Sequence, residues 1–426
     1  MTVVGQIEGG RATLNWRTLE WWGAGLILFL QSGAVMPLLV MGPDGGLGDA
    51  ERAKLRLVSL PVYMVAMLLL ARHPQQLGIA LRRNAPLLLL IGLAFLSVIW
   101  SISPSFTLVR AISLVLTLQT SLLIAIRFTP HQFLLLVATV LGGCMVFSLL
   151  LMGVAPNLAF MPMEGELRGV FLHKNVLGWA ASLAALVAVV LVADTSIGLR
   201  KVGVPLLLAS LACLVLSGSM TSLLAVIAAF VLTGYFKLLT RSHGIGRIVL
   251  FIAFPEIAIA FLILLGEFLV PFLEAMGKDA TLTGRVPLWH LVDDQIARKP
   301  MLGYGYSAFW SPANGQAWLI WEKIGWQAPH AHNGYRDTLL SLGMTGMGLL
   351  AFVIARALRK GVALQLAEPQ NGWLWLNVLI GMFLIMNLSE SLFLSSTDLP
   401  WIIFAAGLIM ISMRFPDRPG AKRSGR

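Results

Sequence analysis

Residues 176–193 read VLGWAASLAALVAVVLVA, a run without a single charged side chain. A helix needs ~20 mostly apolar residues to cross the hydrocarbon of a membrane. Backbone groups in lipid must satisfy one another's hydrogen bonds, so such a run predicts a transmembrane helix. The whole chain has the same character, since 58% of its 426 residues are hydrophobic and 12% are charged. A soluble protein of this length carries about twice that charge.

We therefore predict an all-α, polytopic integral membrane protein with about 12 transmembrane helices. The predicted spans are 21–41, 56–71, 85–100, 106–126, 132–153, 176–193, 202–217, 221–236, 248–266, 335–355, 373–395 and 399–413. The first span is interpreted as a retained helix, because no small-residue cleavage site follows it. Cys144 and Cys213 lie in apolar runs and are interpreted as packing residues.

These spans divide the chain into three parts. Residues 1–266 form a membrane domain with spans one to nine, and 335–426 hold the last three spans and a tail. Between them, 267–334 form one long outer, periplasmic loop, and loops of this length usually have a function or their own structure. The loop contains a short amphipathic helix near 287–299, where apolar residues recur at helical spacing.

The distribution of charge predicts the orientation in the membrane. When the loops are assigned alternately to two sides, one side receives 19 of the 31 Lys and Arg residues but only 5 of the 20 Asp and Glu residues. The positive-inside rule makes that side, with both termini, cytoplasmic. The net charge of +11 is then a topology signal and the charge of a surface that faces membrane lipid. It does not indicate a nucleic-acid partner.

Outer-side cations before the sixth span form the first candidate site. Arg168 and Lys174 lie close in sequence, with His173 and Asn175 beside Lys174. One interpretation is that the cations only anchor a helix end at the interface. The other is an anion site, in which both cations pair with phosphate oxygens beside the free N–H groups of a helix N-terminus.

Two further candidates lie in the long loop. Arg285 follows Thr283 and Gly284 and is either a solvated charge or an anion ligand. Tyr304 lies in the glycine-containing turn 303–306 and is a candidate substrate contact.

A histidine pair lies at the mouth of the tenth span. His330 and His332 are followed directly by Asn333. Histidine suits proton transfer near neutral pH. Two histidines at this spacing also suit a metal, but no third ligand stands out nearby, so we predict a site without metal. A structural role in bonding the loop is the remaining interpretation.

Two charged residues fall at the outer ends of predicted spans. Arg110 lies one turn into the fourth span, and Glu390 lies in the eleventh together with Asn387. Ionisable groups inside a membrane are costly, so they are functional candidates by default. A pair between Arg110 and Glu390 is the structural alternative.

Five short motifs occur in a fixed order along the chain. They are FLHKNVLG at 171–178, LSGSMTS at 216–222, TGR at 283–285, LGYG at 302–305 and HAHNG at 330–334. This ordered series, on a frame of many spans with one long outer loop, resembles the O-antigen polymerase and O-antigen ligase superfamily. Within it, the chain is most similar to the ExoQ-type exopolysaccharide polymerases. The resemblance runs from about Trp100 to Trp401.

The resemblance implies a metal-independent glycosyltransferase that needs no cofactor and acts at the outer face of the bacterial inner membrane. Its donor is an oligosaccharide on polyprenyl pyrophosphate, and its acceptor is a sugar hydroxyl. We expect His332 to act as general base, and Arg168 and Arg285 to hold the pyrophosphate. The other expected substrate contacts are Arg110, His173, Lys174, Asn175, Tyr304, His330, Asn333 and Glu390. Tryptophans 310, 318, 321 and 326 are candidates for stacking on sugars.

Three functions remain open. A polymerase, which is favoured, transfers the glycan to another lipid-linked repeat, with a chain-length regulator and other assembly proteins as expected partners. A ligase transfers it to lipid A core. The ligase branch has a motif of His, then Asn, Ser or Gln, then nine residues, then Gly-x-x-Gly. This chain matches that spacing with His332, Asn333, Gly343 and Gly346. The next residue, Met347, departs from the Thr or Val expected of ligases. Glycines such as Gly343 and Gly346 also allow two helices to approach closely. A transporter or flippase has a compatible number of spans, but would place charges near mid-membrane and show related halves.

Overall fold

The computed structural model describes residues 16–41, 49–162, 165–275 and 285–415. Within these ranges the secondary structure is helical, apart from an isolated bridge between Phe160 and Leu167. The α-helices are α1 Trp16–Gln31, α2 Met36–Val40, α3 Asp49–Ala71, α4 Pro74–Arg83, α5 Ala85–Leu96, α6 Pro104–Arg127, α7 Pro130–Val154, α8 Pro156–Ala159, α9 Lys174–Ala193, α10 Arg200–Ser217, α11 Met220–Arg241, α12 Gly244–Ala275, α13 Arg285–Arg298, α14 Gly315–Ile324, α15 Gly334–Ala367, α16 Trp373–Met386 and α17 Leu399–Arg414. The prediction of an all-α, polytopic membrane protein is confirmed.

Six of these helices are long and apolar enough to cross a membrane, and a seventh span results if the bent pair of α4 and α5 is counted as one. They are α6, α7, α9, α10, α11 and α15. Shorter apolar helices include α16 and α17. This count covers only the described residues, so the total of about 12 spans stays a prediction. The outer position of the long loop stays a prediction as well.

The segment 72–84, between the second and third predicted spans, is mostly helical, because α4 occupies it. α4 meets the next helix at a bend of 82°. Pro86 in the first turn of α5 has no N–H to bond to the carbonyl of Arg82, which favours a break between the two helices at this point. Asn84 lies between the two helices in a non-helical conformation and is buried.

The predicted eleventh span, 373–395, is too long. α16 ends at Met386, and Asn387 turns the chain. The Oδ1 atom of Asn387 accepts hydrogen bonds from the backbone N–H groups of Leu392 (3.0 Å) and Phe393 (2.9 Å). Asn387 and Glu390 therefore lie beyond the helix, whereas the sequence placed both inside it.

The first predicted span is also interrupted. α1 ends at Gln31, and Val35 adopts a left-handed conformation with φ of 62°. Its N–H donates to the carbonyl of Val170 (2.7 Å), so the chain leaves the helix to pair with the segment that follows Arg168.

The chain divides into two compact units. Unit 1 takes its residues from Met1–Ala80 and Leu118–Val226, and unit 2 from Leu81–Thr117 and Ile227–Arg426. Unit 1 is built around α9, which is buried along almost its whole length and packs against α7 and α10. Unit 2 is built around α15, which packs against α5, α13, α16 and α17.

The described part of the long loop has its own hydrophobic core. The predicted amphipathic helix is present as α13, with Leu288 and Val292 buried and Asp293 exposed. α14 was not predicted. The buried core of this segment is formed by Leu288, Val292, Tyr304, Phe309, Ala317, Ile320, Trp321, Ala328, Ala331 and Leu340. The core includes Leu340 of α15, so it fixes the loop on the start of that helix.

Candidate functional site

α15 is interrupted at Gly343, and the backbone of 300–305 fills the interruption. Gly343 has φ of 62° and ψ of −163°, a conformation that only glycine adopts readily. A Cβ atom there would lie 2.3 Å from the carbonyl carbon of Met301. The crossing hydrogen bonds run from Tyr304 N to Leu340 O (2.7 Å), Gly305 N to Ser341 O (3.1 Å), Met344 N to Pro300 O (2.7 Å) and Thr345 N to Met301 O (3.2 Å). The expectation that this glycine serves helix–helix packing is wrong, because it admits a loop.

The same loop segment is tied to the chain before α6. The N–H of Ile102 donates to the carbonyl of Tyr304 (3.0 Å), and the indole N–H of Trp100 donates to that of Leu302 (3.0 Å). The Tyr304 hydroxyl donates to the carbonyl of Gln295 (3.0 Å), and burial raises the pKa of Tyr304. This geometry gives Tyr304 a role in holding the loop, while its contact with substrate stays a prediction.

Asp337, in the first turn of α15, fixes the backbone of the histidine segment, residues 330–332. Its carboxylate accepts hydrogen bonds from the Trp310 indole (2.8 Å), from the backbone N–H of Ala331 (2.9 Å) and from the Ser391 hydroxyl. The carbonyl of Ala331 in turn accepts from the indole of Trp289 on α13 (2.9 Å). Both backbone groups of the residue before His332 are therefore fixed.

Asn333, the residue after His332, is fixed as well. It caps α15, because its Oδ1 accepts from the N–H of Arg336 (3.0 Å). Its amide donates to the carbonyl of Leu388 (2.9 Å), and its backbone N–H donates to the Ser391 hydroxyl (3.0 Å). Asn333 thus joins the start of α15 to the loop after α16, and its contact with substrate stays a prediction.

His332 lies between these two anchored residues. Its φ of 50° places it in the left-handed region, which is uncommon for residues other than glycine, although histidine is among those enriched there. The His332 ring centroid lies 4.1 Å from that of His330 and 5.7 Å from that of Trp326. Trp326 is 37% exposed. The site therefore presents two imidazoles and one accessible aromatic ring together.

Arg285, the first residue of α13, brings a cation to the same region. Its guanidinium donates to the carbonyl of Ser389 (2.7 Å) and pairs with Glu390 (3.3 Å). The carbonyl of Glu390 accepts from the N–H of Gly334 (2.9 Å), two residues after His332. Thr283 and Gly284 of the predicted motif lie outside the described residues.

Arg110 and His330 are placed around one partly buried carboxylate, Asp398. Burial raises the pKa of Asp398, and the charges of His330 and Arg110 act in the opposite direction. The side chain of Arg110 is exposed and lies over the ring of Phe106 (5.1 Å). Unit 2 therefore brings together most of the predicted site residues: Arg110, Arg285, Tyr304, His330, His332, Asn333 and Glu390.

Unit 1 holds the other candidates. Arg168 is only 3% exposed, and its Nε donates to the carbonyl of Leu158 (3.0 Å). Among the described residues, which omit 163 and 164, no carboxylate pairs with it. Lys174 pairs with Glu166 (3.0 Å). His173 caps α9, its Nδ1 accepting from the N–H of Asn175 (3.1 Å).

Sequence reasoning missed several residues that build the site. Trp310 was assigned to sugar stacking, but its indole is bonded to Asp337. Ser391 carried no signal, because single polar residues near apolar runs are common. Asn387 was noted in the eleventh span, but its role in turning the chain was not predicted. The nine-residue spacing before Gly343 was the one available signal for the interruption of α15. Within the described ranges, no three His, Cys, Asp or Glu side chains are grouped as metal ligands.

Comparison with known proteins gives two matches. A family described as O-antigen ligase matches residues 205–351, which include the histidine segment and the interruption of α15. The predicted resemblance to the O-antigen polymerase and ligase superfamily is confirmed. The exopolysaccharide production protein ExoQ of Rhizobium meliloti (strain 1021) is 32% identical over 291 residues, 65% of this chain and 65% of that protein. The chain is thus a multi-pass membrane protein similar to ExoQ over about two thirds of its length.

Proposed function

We propose that the protein is a membrane glycosyltransferase that polymerises polyprenyl-pyrophosphate-linked oligosaccharide repeats into an exopolysaccharide or O-antigen-type polymer. The reaction takes place at the outer face of the bacterial inner membrane, with both termini cytoplasmic. The match of residues 205–351 to the O-antigen ligase family and the name of the relative from Rhizobium meliloti support this proposal. No metal or cofactor is assigned a step, and a chain-length regulator is the expected partner.

Two carboxylates near the histidines, Asp337 and Glu390, are the alternatives to His332 as general base, and their contacts are the observation that carries the mechanism. Asp337 accepts hydrogen bonds from three neighbouring residues, and Glu390 pairs with Arg285. Both carboxylates therefore hold the site together. His332 has fixed neighbours on both sides and lies beside an exposed indole, so we assign proton acceptance to its imidazole.

The reaction needs one base and compensating cations. As the acceptor hydroxyl loses its proton to the imidazole of His332, its oxygen bonds to the anomeric carbon of the donor glycan. The bond from that carbon to the pyrophosphate oxygen breaks, and the leaving group takes the electron pair. Pyrophosphate leaves without an acid once cations offset its charge, and Arg285 supplies a cation beside the histidine segment.

Trp326 offers the acceptor sugar a surface next to the base. Its ring lies close to that of His332 and is partly exposed. Trp310 and Trp321, by contrast, donate their indole N–H groups to Asp337 and to the carbonyl of Ala328. We therefore narrow sugar stacking to Trp326. Trp318 also donates its indole N–H, to the carbonyl of Pro312, but its ring is 49% exposed, so it is the second candidate.

Arg168 supports the donor part of the proposal within unit 1. Among the residues that the structure describes, no carboxylate offsets the buried charge of Arg168. A buried cation in that position costs free energy, and an anionic ligand would remove that cost. We propose that Arg168 binds a phosphate group of the donor. That Arg168 and Arg285 hold the same pyrophosphate stays a prediction.

Ligation is the second candidate, favoured by the spacing of His332, Asn333, Gly343 and Gly346 and by the description of the matching family. The test is a reconstituted assay with lipid-linked oligosaccharide repeats, alone or together with lipid A core. A ladder of lengthening products without the core supports the polymerase. A single transfer that requires the core supports the ligase, and no covalent product with either acceptor would contradict a glycosyltransferase.

A further inference from the structure

His330 uses a ring nitrogen to hold the backbone of His332. The Nδ1 atom of His330 accepts a hydrogen bond from the backbone N–H of His332 (3.2 Å). Because an amide N–H can only donate, this nitrogen carries no proton. In a neutral imidazole one nitrogen is the donor and the other the acceptor, so the proton of the neutral ring lies on Nε2. The one acceptor nitrogen of His330 is therefore already occupied.

This hydrogen bond belongs to a series along the histidine segment. The segment and Asn333 lie outside the helices, so side chains must satisfy their backbone N–H groups. The N–H groups of residues 331–333 donate in turn to the carboxylate of Asp337 (2.9 Å), to Nδ1 of His330 and to the Ser391 hydroxyl (3.0 Å). Of these acceptors, only His330 belongs to the segment that it holds.

The bond from His332 to His330 fixes the conformation of the proposed base. It holds the peptide plane before His332, and the bond from Asn333 to Ser391 holds the plane after it. When both planes are held, φ and ψ of His332 are fixed. This matters because φ of 50° is a value that residues other than glycine seldom adopt.

The side chain of His330 also contacts the ring of His332. The two ring centroids are 4.1 Å apart, with an angle of 57° between the ring planes. His330 therefore constrains both the backbone and the imidazole of His332. It is not itself suited to accept a proton, because a proton on Nδ1 would break the bond to His332 and Nε2 already carries one.

We propose that His330 is a positioning residue, whose Nδ1 holds the backbone of His332 so that the imidazole of His332 faces the acceptor hydroxyl. This inference rests on the proposed function, in which His332 is the general base. It gives the two histidines different tasks, since His332 takes the proton and His330 orients it. A shift of about 1 Å in a catalytic group can lower a rate by about 100-fold, so loss of the bond should slow turnover.

Asparagine and glutamine at position 330 separate the two ring nitrogens. The Oδ1 atom of asparagine is as many bonds from Cα as Nδ1 is, and Oε1 of glutamine is as many as Nε2. His330→Asn therefore keeps the acceptor, and His330→Gln removes it. His290→Gln is the control, because His290 is exposed on α13 and has no part in the proposed site. Turnover per folded molecule is measured for each full-length variant in reconstituted vesicles with lipid-linked donor.

His330→Gln should lower kcat at least about tenfold, while KM for donor and acceptor changes less than about threefold. His330→Asn and His290→Gln should both stay within about threefold of the wild-type kcat. Equal kcat values for His330→Asn and His330→Gln, whether high or low, would overturn the positioning role. A higher KM with unchanged kcat in His330→Gln would also overturn it and make His330 a substrate contact.

A second measurement does not depend on polymer formation. Diethyl pyrocarbonate modifies accessible neutral imidazoles, and tandem mass spectrometry gives its rate of reaction with His332 in each variant. That rate should match the wild type in His330→Asn and differ from it in His330→Gln. Equal rates in the two variants would overturn the positioning role. Absence of polymer from the wild type would instead contradict the proposed function, so the two failures are distinguishable.

Discussion

Replacement of Gly343 by alanine tests the interruption of α15. The left-handed conformation alone costs a residue with a Cβ atom roughly 1–3 kcal/mol. The new methyl group would also lie 2.3 Å from the backbone of Met301, so 300–305 must move. That movement weakens four backbone hydrogen bonds, each worth about 1 kcal/mol. We expect a loss of at least about 3 kcal/mol in the free energy of unfolding.

Gly348→Ala is the matched control in the same helix. Gly348 is helical and exposed, and no atom lies within 4 Å of the position of its missing Cβ. Alanine there favours the helix by up to about 1 kcal/mol. In detergent, Gly343→Ala should melt roughly 3 °C or more below the wild type and lose activity, while Gly348→Ala melts at or slightly above it. Equal melting temperatures for the two variants would refute the account of the interruption.

Further predictions concern the acceptor, the cation and the orientation. Trp326→Ala should raise KM for the acceptor about tenfold, because stacking on a sugar is worth roughly 1–2 kcal/mol. Trp318→Ala, the control, should change KM little. Equal effects of the two substitutions on KM would show that Trp326 is not part of the acceptor site. Arg285→Lys should lower turnover at least about tenfold, because lysine lacks the planar fork that holds two acceptors; full activity at normal membrane levels would contradict this. Both native cysteines are buried, so an introduced cysteine can be labelled on its own. A cysteine replacing exposed Ala313 should react with an impermeant thiol reagent in intact cells, and one replacing exposed Gly246 should not. The reverse pattern would show that the predicted orientation in the membrane is wrong.

The sequence predicted the helical class, most helix positions and the motif that contains His332. Apolar runs determine where helices lie, because burial in lipid allows no other backbone structure. The same runs cannot show where a buried amide ends a helix, so Asn387 was placed inside one. Long-range contacts were equally invisible: nothing in the sequence pairs Asp337 with Ser391 or Trp310. Gly343 was recognised as a motif residue, but its left-handed conformation depends on a segment about forty residues earlier.

The most direct test of the mechanism compares two variants, His332→Ala and Asp337→Asn, in reconstituted vesicles with lipid-linked donor. Turnover is measured per folded molecule, because loss of the Asp337 carboxylate weakens the bonds that hold Ala331. Removal of a general base typically costs 10²–10⁴ in rate. We predict that His332→Ala loses at least about 100-fold, while folded Asp337→Asn keeps more than a tenth of wild-type turnover. If His332→Ala stays within about tenfold of wild type and Asp337→Asn is inactive although folded, the base is the carboxylate and the assignment to His332 is wrong.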